Sequence, residues 1–333
     1  MINQASLPSQ DIKEIISKSQ PFLEQLSKSE ILIAGGTGFV GRWLVMTLIE
    51  ASKIYNIKIH LLVRNREKAT EFFANTDSSI LQLHPVDSEI QLRSLTHIIH
   101  AATPSTPSTG GSDSRYAFDV ATQMAGRLIE VAGNNQTPVF MHLSSGAVYG
   151  EKPLQKRDIL ENEEIGDSPQ NLYTTSKIEI ERQVSIAHNT GLIKGTNPRL
   201  FAFTGPGIAL DAHFAIGNFM SDAINGNPIF IKGNPDTTRS YLHPVDMITW
   251  LLAALSKPSM EPTHIGSNHG YTMQSIAELI SREFNLPKFE VGNELSPSTY
   301  YVPDTSRTRA RMQVCETISL AEAISRWRSW LES

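Results

Sequence analysis

The run Gly35-Gly36-Thr37-Gly38-Phe39-Val40-Gly41 constrains this chain more than any other segment. It follows a short apolar stretch, 31–34, that reads as a buried strand. It precedes a stretch, 39–53, with the 3.6-residue periodicity of an amphipathic helix. Strand, glycine turn and helix in that order form the opening of a dinucleotide-binding βαβ unit. The first glycine permits the tight turn, the second lets a pyrophosphate approach the backbone, and the third lets helix and strand pack closely. The helix N-terminus then offers free N–H groups and a partial positive charge to phosphates. Gly35, Thr37, Gly38, Phe39, Val40 and Gly41 are therefore the first cofactor-binding candidates.

The rest of the chain repeats the alternation. Strands are expected at 57–63, 97–101, 139–143 and 192–197, and helices at 66–74, 115–132 and 173–188. Strands that alternate with helices indicate an α/β fold built on a doubly wound parallel sheet of the Rossmann type. After about residue 205 the rhythm changes to helices near 212–226, 245–256, 273–284 and 318–331, joined by Pro- and Gly-rich loops. This predicts a smaller, mixed α/β C-terminal substrate lobe over the carboxyl edge of the sheet, where open α/β folds bind ligands. The expected organisation is an N-terminal helical extension over 1–29, a dinucleotide-binding domain carrying the catalytic residues over 30–205, and a substrate-binding lobe over 206–333. The stretch near 240–256 is able to return to the main domain. The extension reads as one short amphipathic helix packing through Ile12, Ile15, Ile16, Phe22, Leu23 and Leu26. Two polar segments, 103–114 and 151–171, follow strand ends closely and are expected to border the ligand crevice. Trp43, Trp250, Trp327 and Trp330 sit at helical positions, where core packing is the expectation.

Composition narrows the function. The chain has 333 residues, 40% of them hydrophobic, and a net charge of -5. That balance argues against a nucleic-acid or anionic-membrane partner, each of which calls for a basic excess. No segment has the apolar length of a membrane span, and the N-terminus lacks a signal-peptide pattern, so a soluble cytoplasmic protein is expected. Cys315 is the single cysteine, which rules out a disulfide framework and a cysteine zinc site. No spacing suits a metal, and no G-x-S-x-G elbow occurs at the serine strand.

Tyr173-Thr174-Thr175-Ser176-Lys177 has the form Y-x-x-x-K. Positions i and i+4 share a helix face, so phenol and ammonium enter one site. The ammonium stabilises the phenolate, and the tyrosine then serves as acid or base near neutral pH. Ser145, at the carboxyl end of the preceding strand, faces the same crevice and is placed to hydrogen-bond a substrate oxygen. At the end of the second strand, where an NAD binder carries an acid, this chain has Arg64. A guanidinium grips a 2′-phosphate, so NADP is favoured over NAD; the other reading of Arg64 is a surface residue at a helix start.

In this order the motifs resemble the extended short-chain dehydrogenase/reductase family, and within it the NAD-dependent sugar-nucleotide epimerase/dehydratase branch. The likeness runs from Ile31 onward. It implies that Ser145, Tyr173 and Lys177 are the catalytic set, with Tyr173 and Lys177 also touching the cofactor and Ser145 the substrate. It places Asp87 near the adenine, Ala101 and Ala102 along the cofactor, and Pro198 beside the nicotinamide. It implies substrate contacts from Asn218 and, through the stretch 239–246, from Arg239 to the diphosphate of a nucleotide sugar. His213 is either a local substrate contact or a structural hydrogen bonder.

The chain also departs from the pattern. Dehydratases of the family carry an acid pair directly after the catalytic hydroxyl, and decarboxylases a glutamate at the second position. Here those positions are Gly146 and Ala147, which move no proton. Dehydration and decarboxylation are thus disfavoured unless Glu161, Glu163 or Glu164 substitutes. The resemblance then implies an NAD(P)-dependent nucleotide-sugar epimerase working through a 4-keto intermediate. The alternatives are, in order, an NADP-dependent nucleotide 4-keto-sugar reductase, a 4,6-dehydratase or decarboxylase, and a non-catalytic dinucleotide sensor. Family members often pair through helices corresponding to 115–132 and 173–188, so a homodimer is expected.

Overall fold

The structure, a computed structural model, describes residues 6–333 except 75, 104–111, 151–156, 167–170, 211–213, 288 and 293–296. The chain starts with α1 (Ser9–Lys18) and α2 (Gln20–Gln25), then runs β1 (Glu30–Ala34), α3 (Phe39–Tyr55), β2 (Lys58–Val63), α4 (Arg66–Phe72), β3 (Leu81–Pro85) and β4 (His97–His100). Next come α5 (Ser112–Gly133), β5 (Val139–His142), β6 (Ser144–Ser145), α6 (Leu172–Asn189), β7 (Lys194–Thr196) and β8 (Pro198–Leu200). The remainder is α7 (Ala215–Ile224), β9 (Phe230–Ile231), β10 (Thr238–Arg239), α8 (Pro244–Ser256), β11 (Thr263–Ile265), β12 (Tyr271–Thr272), α9 (Met273–Glu283), β13 (Glu290–Val291), β14 (Tyr300–Tyr301), α10 (Ser306–Met312) and α11 (Leu320–Leu331).

Six parallel strands form the main sheet in the order β3-β2-β1-β4-β5-β7. The order reverses between β1 and β4. Their carboxyl ends therefore diverge into connections on opposite sides of the sheet, which opens the crevice expected of a doubly wound fold. β1 is apolar along its length because helices cover both of its faces. Its Ile33 lies opposite Leu61 on one side and Ile99 on the other. α3 stops cleanly because Asn56 takes a left-handed conformation and returns its N–H to the carbonyl of Ser52.

α8 is buried from Pro244 to Leu255. A helix apolar on all sides needs cover on all sides, and α1, α2 and α3 supply it on this flank. Residues 244–256 thus pack in the main body, and β11 follows them by pairing in parallel with β8. A separate core, built on Ile216, Phe219, Met220, Ile276, Ile280, Ile324 and Trp327, holds α7, α9 and α11 together as a smaller lobe. Beside it, β10 pairs with β12 antiparallel and with β14 in parallel. No helix among the described residues is long and apolar enough to cross a membrane.

Several local expectations needed correction. The N-terminal extension is two helices, not one: Pro21 lies in the first turn of α2, and Ser19 separates it from α1. A proline there lacks the N–H that a continuous helix would use. Ile12, Ile15, Phe22, Leu23 and Leu26 are buried as expected, while Ile16 is only partly covered. The strand expected over 192–197 is the shorter β7, and β8 follows it directly in a second sheet. β3 and α10 are among the elements that have no counterpart in the sequence reading. Trp43, Trp250 and Trp327 are core residues, whereas Trp330 sits at the rim and bonds the carbonyl of Ser6.

Leu23 is fully buried under α8 with no solvent side. Leu23→Ala should lower unfolding free energy by about 2–5 kcal/mol in a denaturant titration. A loss under about 1 kcal/mol would show that α2 lies outside the cooperative core.

Candidate active site

The crevice starts at the glycine turn. Gly35 has φ +92, and a Cβ there would lie 2.5–2.6 Å from the backbone of Ala101 and Ala102. The two diverging connections therefore touch where the sheet opens, and Ala101 and Ala102 line that contact as half-buried residues. A Cβ on Gly41 would lie 2.2 Å from the carbonyl oxygen of Gly35, so α3 can seat on the turn only with glycine there. Gly38 is exposed, and a Cβ on it would meet only the oxygen of Gly35, at 3.5 Å. As N-cap of α3 it provides no side chain, which leaves first-turn N–H groups for an anion. Thr37 and Val40 are half-buried in the same turn, and Phe39 packs against Phe203 with ring centroids 6.4 Å apart. These features fit a dinucleotide pyrophosphate.

The remaining cofactor candidates ring this turn at the sheet's carboxyl edge. Arg64 is exposed between the end of β2 and Asn65, whose side chain caps α4 by accepting the N–H of Lys68 at 2.9 Å. Asp87 is exposed in the turn after β3, and Pro198 is buried as the first residue of β8.

The catalytic candidates meet as their spacing predicts. Asn171 caps α6 by accepting the N–H of Thr174, which fixes the entry of the helix that carries Tyr173 and Lys177. Lys177 is almost fully buried, and its Nζ donates to the carbonyl of Leu143 at 2.5 Å and to Oγ1 of Thr103 at 2.8 Å. It lies 5.7 Å from the centre of the Tyr173 ring. Tyr173 keeps 38% of its surface open, and Ser145 is near enough to act on its phenol. Burial pushes the Tyr173 phenol up, partly offset by Ser145. Burial pushes Lys177 down to about 7, and the carboxylate of Glu181 opposes it. Without ligand, burial thus moves the phenol away from neutrality and the ammonium toward it.

Glu181 completes this helix face one turn beyond Lys177. It accepts from Ser144 Oγ at 2.5 Å and from both arms of the Arg199 guanidinium, at 3.0 and 2.8 Å. Arg199 also donates to the Tyr149 hydroxyl at 2.7 Å, which lies 2.6 Å from Nε2 of His264. Nδ1 of His264 faces the carbonyl of Asp304 at 2.8 Å. A carbonyl only accepts, so the imidazole proton sits on Nδ1, and Tyr149 donates to Nε2. Burial keeps His264 neutral, at about 4, and holds the Tyr149 proton in place by pushing its phenol up to about 12. Beneath Lys177, His100 and His142 face each other with their Nδ1 atoms 3.0 Å apart, both buried. Burial, with the Lys177 charge adding to it, keeps them neutral.

The structure gives a steric reason for Gly146. A Cβ there would lie 2.6 Å from the Phe201 ring and 2.6 Å from the hydroxyl of Tyr301. A side chain at this position would have to displace the outer ends of the Phe201 and Tyr301 side chains. Glu161 is buried and accepts from the backbone N–H and hydroxyl of Thr308 and from the N–H of His264. Glu163 pairs with Arg157, and Glu164 is exposed. Tyr301, Thr103, Glu181 and Arg199 were not singled out in the sequence. Only Glu181 had a local signal, its place four residues after Lys177.

The substrate candidates are less gathered. Arg239 is half-buried on β10 and gives hydrogen bonds to Thr299 and to the carbonyl of Thr238. Its guanidinium lies 5.8 Å from the Tyr301 ring centre. Asn218 is half-buried on α7 in the smaller lobe. His213 lies outside the described residues. Among the described residues, no three His, Cys, Asp or Glu side chains are grouped to hold a metal ion.

Residues 31–266 match the sequence model of a family described as "NAD dependent epimerase/dehydratase family". UDP-glucuronic acid decarboxylase 1 of Arabidopsis thaliana is 25% identical over 310 residues, 89% of this chain and 68% of that protein. Decarboxylase 2 of the same plant is 23% identical over 258 residues, and this chain spans 56% of its length. Among solved structures, UDP-N-acetylglucosamine 4-epimerase of Methanobrevibacter ruminantium superposes with a TM-score of 0.80 at 18% identity, over 92% of this chain and 99% of that one. UDP-glucuronic acid 4-epimerase of Bacillus cereus, bound to UDP-glucuronic acid and NAD, gives 0.77 at 18%, over 91% and 99%. At these identities the superpositions establish the fold.

Lys177 must keep its proton to hold a phenolate on Tyr173, and burial brings the loss of that proton down to about 7. Substrate oxidation should then fall as pH rises through about 7, where the ammonium charge is lost. A kcat/KM profile flat between about pH 5.5 and 8.5 would contradict the pairing.

Proposed function

We propose that this chain, which belongs to the NAD dependent epimerase/dehydratase family, inverts a hydroxyl-bearing carbon of a nucleotide sugar, C4 being the position the reading favours. When bound, the nicotinamide dinucleotide takes a hydride from that carbon and returns it. The Tyr173 phenolate accepts the proton from the hydroxyl on the same carbon, so the C–H and O–H bonds break and a C=O bond forms. Lys177 holds the phenolate, and Ser145 hydrogen-bonds the sugar oxygen. After the keto sugar turns, the same residues run the step backwards on the other face. Substrate and product are isomers, and no proton carrier beyond Tyr173 is required.

One observation carries this reading: the side-chain space of residue 146 is filled by the Phe201 ring and the Tyr301 hydroxyl. This supports a site that has the hydride-exchange set but, at Gly146, two ring side chains in place of the carboxyl group that elimination of water calls for. A second reading is favoured by the sequence relatives, which are named as UDP-glucuronic acid decarboxylases. Oxidation at C4 of a uronic acid gives a β-keto acid. It loses carbon dioxide, the bonding electrons pass to C5, and a proton must be delivered there. The product separates the two readings, since one conserves mass and the other releases carbon dioxide.

Arg64, exposed at the end of β2, supports binding of a 2′-phosphate and thus of NADP. Exposed Tyr116 on α5 and Ile186 on α6 support pairing of two copies through those helices. The free, exposed Cys315 suits a reducing cytoplasm.

The purified protein should carry tightly bound NAD(H) or NADP(H) and interconvert two nucleotide sugars with none added. Strict consumption of added NADPH would replace the epimerase with a ketoreductase. Arg64→Asp should weaken NADP binding about 10-fold or more while changing NAD affinity little. Equal affinities for both cofactors in the variant and the parent would remove the 2′-phosphate contact.

A further inference from the structure

Among the described residues, the ammonium of Lys177 has two hydrogen-bond acceptors, and only one of them is a side chain. Nζ donates to the main-chain carbonyl of Leu143 at 2.5 Å and to Oγ1 of Thr103 at 2.8 Å. Both acceptors are anchored to the end of β4. The N–H of Leu143 bonds the carbonyl of His100 at 3.0 Å, and Thr103 gives its own N–H to the carbonyl of Ala101 at 3.1 Å, which makes a tight turn. Ala101 in turn gives its N–H to the carbonyl of Ala34, at the end of β1, and its backbone presses on Gly35. The Thr103 oxygen is thus placed by the strand ends and the glycine turn, not by the helix that carries the lysine.

The other polar groups around the ammonium give it no hydrogen bond. On α6, Tyr173 lies one turn before it and Glu181 one turn after it, and the Glu181 carboxylate is committed to Ser144 and Arg199. From β4 and β5, His100 and His142 turn their Nδ1 atoms on each other and stay neutral. An ammonium only donates. A buried charge that runs short of acceptors gives up its charge instead. Burial already brings Lys177 down to about 7, so the loss of one acceptor is felt where the charge is least secure. Two of its three N–H bonds are fixed by Leu143 and Thr103, which leaves one for a group in the crevice. A threonine kept only to fill space would do as well without its oxygen.

We propose that Thr103 is a positioning residue whose hydroxyl oxygen keeps the Lys177 ammonium charged and holds it in place beside the Tyr173 phenol. The assignment rests on the reading of Lys177 as the group that holds the Tyr173 phenolate. It makes the connection after β4, which meets the glycine turn, part of the proton chemistry on α6.

Protein labelled with 13C at the lysine ε-carbon is titrated by NMR between about pH 5 and 9. The signal missing from Lys177→Arg identifies the lysine. In Thr103→Val, which keeps the branched shape and removes the oxygen, the midpoint should fall by about one pH unit, and the alkaline loss of kcat/KM should move down with it. Thr103→Ser keeps the oxygen and should stay within about 0.3 units of the parent. Thr103→Ala should follow Thr103→Val, and it carries the comparison if the valine variant does not fold. An unchanged midpoint in the variants without the oxygen, an equal fall in Thr103→Ser, or a kcat/KM profile that stays in place while the midpoint falls would overturn the assignment. The NMR titration needs no substrate. Absence of sugar interconversion by the parent protein would therefore strike the epimerase reading and leave the titration to decide the role of Thr103.

Discussion

The ammonium of Lys177 sits under the end of β5, bonded to the carbonyl of Leu143 and to Thr103 beyond β4. The rest of the site is arranged around this contact. It joins the catalytic helix to both strands that meet at the crevice, and it places a charge where little water reaches. The neighbours answer to that charge. His100 and His142 stay neutral below it, and Glu181 offers an opposite charge one turn along the helix. Glu181 is itself held by Arg199 and Ser144, so its pull on the ammonium is divided. A full salt bridge would lock the proton on lysine. An isolated ammonium would lose it. The divided arrangement leaves Lys177 near neutrality, the range in which a neighbouring phenol is useful as a base.

What was legible in the sequence was local. The glycine turn, the four-residue spacing of Tyr173 and Lys177, and Ser145 at a strand end each depend on geometry within one turn of helix or one strand, and the structure brings them together. What was not legible depended on distant partners. Tyr301 belongs to an unremarked strand of two residues, more than 150 positions after Ser145. Glu161 reads as a free loop acid until Thr308, 147 residues later, takes its carboxylate. β3 escaped notice because it is an edge strand, half open and ending in a proline, so it lacks the apolar run that marks its neighbours. The division at 192–200 was hidden for another reason: only Asn197 separates β7 from β8, so two strands of different sheets run on almost without a break.

The aromatic wall behind Gly146 distinguishes this site from what its sequence relatives' names suggest. Phe201, Tyr301, His264 and Tyr149 pack ring to ring. The polar chain from Arg199 to Asp304 runs through them with one direction of donation. A wall fixed at both its apolar faces and its hydrogen bonds yields little to a substrate. Fold alone assigns no chemistry, and here the shape beside the serine narrows it.

The seam between the chain's two ends has a consequence for biosynthesis. Arg326 of α11 binds Asp11 and Glu14 of α1, partners 315 and 312 residues apart, and Trp330 reaches Ser6. α1 and α2 are made well before α8, which covers their apolar side and follows some 220 residues later. Until then only α3 is at hand to cover them, and the apolar surface left open favours association with other chains.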